Sequence, residues 1–177
     1  MKEIKSVVKK RPTVLAIVVA AVLIAGFVGL WSKRQPAAPE INFTLIDGNR
    51  LSLKNLRGRP VLVFFWATTC QICITKIPEM NVLYRQLNPK GLEIIAVAMP
   101  YDPPTHVVSM ATTMKMPYPV ALDINADVVR AFGNVKVTPT TFLIGPKGNI
   151  TWNKPGKFNI DRLGIRIQGL IQGAVAI

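Results

Sequence analysis

Histidine is almost absent from this chain, with His106 alone, and so is cysteine, with Cys70 and Cys73. A structural zinc needs four ligands, and soft-ligand sites usually come as two pairs. One cysteine pair and one histidine in "PPTHVVSM" therefore argue against a metal centre, and none is expected. Acidic residues are scarce as well: 9 Asp or Glu stand against 22 Lys or Arg, a net charge of +13. That balance invites a nucleic-acid partner, yet the chain lacks any run of five basic residues and any basic stretch interleaved with aromatics. No nucleic-acid partner is expected. Residues 40–177 hold 15 Lys or Arg against 8 Asp or Glu and carry +7; the other +6 belongs to the N-terminus. Scattered basic residues of this kind read as a solvated surface facing anionic lipid heads. There is no internal repeat.

Charge is also missing from one long piece, "TVLAIVVAAVLIAGFVGLW", residues 13–31. Its 19 residues make roughly 28 Å of helix, enough to cross a bilayer core of about 30 Å. Lys2, Lys5, Lys9, Lys10 and Arg11 precede it, and Lys33 and Arg34 follow. The positive-inside rule keeps the first group in the cytoplasm. A cleaved signal peptide has a shorter apolar core, about 7–15 residues, and a small-residue cleavage site; "WSKRQPAAPE" offers a poor one around Ala37 and Ala38. The expected organisation is a cytoplasmic basic tail over 1–12, an uncleaved transmembrane anchor over 13–31, a stiff Pro/Ala linker over 32–40 and one globular domain over 41–177.

Within the domain, "INFTLIDGNRLSL" reads as two strands about a turn at Asp47-Gly48-Asn49. "VLVFFWA" (61–67) and "LEIIAVAM" (92–99) are unbroken apolar runs, the pattern of strands buried on both faces. A helix is expected from Cys70 to about Leu87, kinked at Pro78, and another from about Pro104 to Lys115. "YPVALD" reads as a short strand, and "NADVVRAFGN" as a short helix capped by Asn125 and stopped by Gly133. "TPTTFLIGPKGNITW" reads as strand, turn, strand. A last helix carries Ile160, Leu163, Ile167, Leu170 and Ile171 on one stripe. Strands alternating with helices make an α/β sandwich with a mixed central sheet.

The cysteines lie two residues apart in "FFWATTCQICITKIPEM", after a buried strand and at the start of a helix. A staple closing so short a loop adds little stability, because the stabilisation grows with loop length. A redox pair fits better. Cys70 at a helix N-terminus meets unpaired N–H groups and the positive end of the macrodipole, which lowers a thiol's pKa and makes it the attacking nucleophile. Cys73, one turn inside, is placed to resolve a mixed disulfide.

Here the sequence resembles a known family. "FFWATTCQIC" followed by Pro78 is similar to the strand, active-site turn and kinked helix of the thioredoxin superfamily. "VTPTTFLI" resembles its second landmark, a cis proline facing the disulfide, which falls on Pro139 with Thr138 before it. "INFTLIDGNRLSLKNLRGRPVLVFFWATTC" resembles the TlpA/ResA/DsbE-like branch, membrane-anchored extracytoplasmic thiol–disulfide oxidoreductases. The resemblance implies a thioredoxin-like sandwich plus the anchor, catalysis by Cys70 and Cys73, and client binding by Thr138, Pro139 and Trp66, the last read as core packing first and active-site wall second. It implies no cofactor beyond the redox-active disulfide Cys70–Cys73. Partners would be clients with disulfides, of the cytochrome c maturation or metal-centre assembly type, and a membrane dithiol donor. The protein would sit in the bacterial inner membrane with its domain in the periplasm or cell exterior. The chain departs from the family pattern at Thr69, where Trp is common, and at Ile72, where Pro is common. Lys76 stands where many reducing members carry Glu, and Phe64 where thioredoxin has a buried Asp.

Three other readings stay open on the residues. One is a thiol oxidase or isomerase on the same fold. Another is a peroxidase, which would need Ser or Thr where Ala67 stands. The third is a copper-binding module using the two cysteines; Met110 and Met114 share a helix face, but core filling is the expected role for them.

Overall fold

The computed structural model describes residues 19–23 and 35–175. The expected anchor over 13–31 lies outside the described residues except for 19–23, which are helical and exposed. Among the described residues no helix is long and apolar enough to cross a membrane.

The domain is built on β3 (Val61–Trp66), whose six residues are all buried. Alternation along it makes two cores. Leu62, Phe64 and Trp66 point to one face, where they meet α1 (Gln71–Leu87), α2 (Pro104–Thr113) and α4 (Ile160–Val175). Val61, Val63 and Phe65 point to the other, where the short α3 (Asp127–Ala131) and the 3-10 turn Leu53–Leu56 cover them. A strand buried on both faces must be apolar at every position, hence the unbroken run in the sequence.

Seven strands form one mixed sheet, with β3 next to its centre. β4 (Glu93–Ala98) lies parallel beside it, and β5 (Val120–Leu122) parallel beside β4. β1 (Asn42–Leu45) runs antiparallel to β5, and β2 (Arg50–Ser52) pairs with β1 at one edge. On the other side of β3 come β6 (Thr140–Ile144) and β7 (Ile150–Pro155), both antiparallel to their neighbours. The two parallel connections, through α1 and α2, bring the carboxyl ends of β3, β4 and β5 to the same end of the sheet. Antiparallel β6 begins at that end, since Thr140 pairs with Phe65.

Three local features differ from the sequence-based expectation. Helix α2 stops at Thr113, because Lys115 takes φ +49° and the Met116 N–H turns back to Ala111. Helix α3 is capped not by Asn125 but by Asp123, whose carboxylate accepts from the N–H of Val128 (3.0 Å) and Val129 (2.7 Å). Ala126 at φ +59° turns the chain so that Asp123, from further back, reaches those amides. Residues 36–40, read as linker, are joined to the domain from Pro36 onward. Ile150 N–H donates to the Pro36 carbonyl at 2.8 Å, and Ala38 N–H to Gly148 at 2.9 Å.

Candidate active site

Cys70 and Cys73 are joined as a disulfide, with Cα atoms 5.2 Å apart. Cys70 is the N-cap of α1, in an extended conformation (φ −88°, ψ 97°), and its Sγ accepts the N–H of Cys73 at 3.2 Å. Its carbonyl takes the first helical bond, from Ile74. An N-cap side chain normally relieves one of the orphan donors of a helix start; here a sulfur does it. The two cysteines differ sharply in access. Cys73 has 0% of its surface exposed and packs with Trp66, Ile77 and Met80, whereas Cys70 is half-buried at the junction of the two cores.

The turn before Cys70 is held from a distance. Asp102, 6% exposed, follows β4 and accepts from both the N–H and the hydroxyl of Thr68, the latter at 2.6 Å. Sequence reasoning missed Asp102. Its signal was faint: an acidic residue in "MPYDPP", just past a buried parallel strand, at the strand ends where open α/β sheets place their sites. The Thr68–Thr69 turn also forms one wall of an open groove of about 460 Å³. Met110, Met114 and the exposed His106 of the α2 segment line the other side.

Pro139 is buried, follows a cis Thr138–Pro139 bond and leads into β6, at the same sheet end as Cys70. Its carbonyl accepts from Gly156 at 2.6 Å, and Thr138 beside it is half-buried. Trp66, expected to wall the client site, is 0% exposed. Position 66 alternates into the α1 core, so the indole has no surface to offer a client and acts in packing; its Nε1 has no partner among the described residues. Ala67, also fully buried, supplies no hydroxyl near the cysteines. Lys76 lies one turn past Cys73, 18% exposed; its Nζ is 2.6 Å from Glu79 Oε2 and 5.7 Å from the Phe158 ring centroid. Among the described residues no group of three or more His, Cys, Asp or Glu could hold a metal ion.

Two tyrosines are perturbed away from this end. The Tyr84 phenol is pushed up to about 12 by burial, with further help from the Glu93 carboxylate it donates to at 3.0 Å. Burial also raises Tyr118, whose hydroxyl has no partner among the described residues.

Comparison with known proteins fits this geometry. The profile of the AhpC/TSA family matches residues 35–153. Thiol-disulfide oxidoreductase ResA of Oceanobacillus iheyensis is 32% identical over 163 residues, covering 86% of this chain and 83% of that one. The ResA of Bacillus cereus is 29% identical over 158 residues, covering 86% and 90%. Among solved structures, a thioredoxin-family thiol:disulfide interchange protein of Chlorobium tepidum superposes with TM-score 0.72 at 24% identity, covering 78% of this chain and 97% of its own; that likeness is one of fold. Together, the fold, the Cys70–Cys73 pair at the head of α1 and these relatives identify the chain as a member of the AhpC/TSA family with a thioredoxin-like fold, a thiol–disulfide oxidoreductase of the ResA/DsbE type.

Proposed function

We propose that this oxidoreductase works outside the cytoplasm, anchored through residues 13–31 in a bacterial inner membrane, and that it reduces disulfides in client proteins. The observation that carries the assignment of roles is the asymmetry of the pair: Cys70 is accessible and caps a helix, and Cys73 is sealed beneath it. In the reduced protein the Cys70 thiolate attacks one sulfur of a client disulfide. A Cys70–client disulfide forms and the client's other sulfur leaves as a thiolate. Cys73 then loses its proton and attacks Cys70 Sγ, which releases the second client sulfur and closes Cys70–Cys73. Two electrons pass to the client, and the two thiol protons end on its cysteines. The electron pair resides in the cysteines, so no separate cofactor enters the scheme. A membrane dithiol donor restores the reduced pair. Thr138 and Pro139 hold the client backbone, and the groove along α2 receives the chain beside its cysteine. Clients of the apocytochrome c or metal-centre type are the classes this reading favours.

One observation favours a second reading. Lys76 stands near the pair where many reducing members carry a carboxylate, and a cation there stabilises the thiolate, hence the reduced state, and makes the couple more oxidising. Its close pairing with Glu79 offsets that charge, so reduction remains the preferred direction. The potential separates the two: about −270 mV or lower marks a reductant, about −120 mV a DsbA-like oxidant.

Trapping tests the function itself. Cys73→Ser leaves Cys70 able to attack but removes the thiol that releases the client, so a mixed disulfide should survive non-reducing electrophoresis. Capture of cytochrome-assembly or metal-insertion proteins supports the reading. A broad spread of newly secreted proteins favours the oxidase or isomerase, and no adduct from abundant folded protein defeats the exchange mechanism.

A further inference from the structure

The chain joins its domain at the end of the sheet remote from the disulfide. Pro36 and Ala38 bond to Ile150 and Gly148, and Ala37 bridges Asn149. These partners form the turn between β6 and β7, next to Ile144, which pairs with Val61 at the start of β3. Cys70 and Pro139 belong to the opposite end. Six residues of β3 separate the two by about 17 Å, at roughly 3.3 Å per step.

That same end is basic. Lys54, Arg57 and Arg59 surround a recess shared with Ala38, Glu40 and Gly148. Lys147 sits in the turn, and Lys90 precedes β4, whose Glu93 N–H donates to Pro60 at 3.0 Å. All five basic residues are exposed. Glu40 and Glu93 oppose them weakly, 3.8 Å from Arg57 and 4.0 Å from Arg59. Lys54, Lys90 and Lys147 make no ion pair among the described residues. Charge alone does not single out this end, since exposed lysines such as Lys136 and Lys157 lie elsewhere. The attachment of the chain does: four residues, 32–35, separate the expected anchor from Pro36.

We propose that this basic end is a docking surface for anionic lipid headgroups, and that docking turns the disulfide away from the bilayer toward clients in the aqueous space. The proposal rests on the anchored reading given above. Basic groups brought within a Debye length of an anionic leaflet, about 8–10 Å, are attracted to it, and salt releases them. A tether fastened at this end keeps these residues, and not those around Cys70, nearest the lipid.

The test uses the full chain in phosphatidylcholine nanodiscs, with and without phosphatidylglycerol. Each lysine is modified by a water-soluble amine reagent and quantified by mass spectrometry. Lys54, Lys90 and Lys147 should react about fivefold more slowly in the anionic discs and recover at high salt, with Lys136 and Lys157 unchanged. Equal rates in both discs overturn the docking and leave the anchor standing. Slowing at Lys136 and Lys157 instead overturns the orientation. Retention by anionic discs alone overturns the anchor and keeps the docking; retention by neither overturns both.

Discussion

At its carboxyl end β3 leads into a turn clamped by a buried carboxylate and a helix capped by a sulfur, beside the proline that precedes β6. At its amino end, one strand length away, exposed basic side chains make long ion pairs with Glu40 and Glu93, and the incoming chain is fastened by backbone bonds. The same pair of strands serves both ends, so the sheet does not decide which is reactive. The difference lies in desolvation. Buried polar groups are held by charge-assisted bonds at one end, and solvent screens the charges at the other. Changes at the first end should cost activity; changes at the second should not.

The largest break is at the cysteines. Cys70→Ser should abolish disulfide exchange in a turnover assay while moving the melting temperature little, since the lost bridge closes only a short loop. Retained exchange would remove Cys70 from the mechanism. Next comes Asp102→Ala, which leaves the half-buried Thr68 without its partner. It should cost about 1–3 kcal/mol in denaturant unfolding and lower turnover as well, because the turn before Cys70 loosens. Unchanged turnover would mean the clamp is structural only.

At the other end the effect is one of pH. Tyr84 ionises in the fold near 12 against an ordinary 10.0. A raised folded value favours the neutral phenol, so this contribution is whole below pH 10 and is lost as pH rises from there through 12. Tyr118, raised by burial, acts in the same sense. Oxidised protein, whose cysteines do not titrate, should therefore lose stability above pH 10. Tyr84→Phe should flatten that fall while neutral-pH turnover stays unchanged; a slope unaffected by the substitution would show that other groups govern it. The smallest effect belongs to Glu40→Gln. Glu40 is 66% exposed and 3.8 Å from Arg57, so unfolding should shift by no more than about 0.5 kcal/mol.

What the sequence made legible is what local pattern encodes. Unbroken apolar runs marked β3 and β4, and the stripe of Leu163 and Ile167 marked α4, whose two residues are buried as expected. The position of the cysteines just after a buried run put Cys70 at a helix start, and it is the N-cap of α1. Contacts made across long stretches of chain were not legible. Asp102 reaches Thr68 over 34 residues. The fastening of Pro36–Ala38 depends on a turn more than a hundred residues later. Trp66 failed as a client wall for a simpler reason: in a strand buried on both faces, neighbouring residues say nothing about how far a ring reaches toward the surface. Asn125 lost the cap to Asp123 because the φ of Ala126 is set by the turn and not by the residue type.

The claim on which the mechanism stands is that geometry makes Cys70, and not Cys73, the nucleophile. Reduced protein alkylated with iodoacetamide between pH 5 and 9, with each cysteine followed by mass spectrometry, tests it directly. Cys70 should react first, with its half-maximal rate below the free-thiol value of about 8.5, while Cys73 stays largely unmodified until the protein unfolds. Equal rates, or a Cys73 that reacts ahead of Cys70, would contradict it.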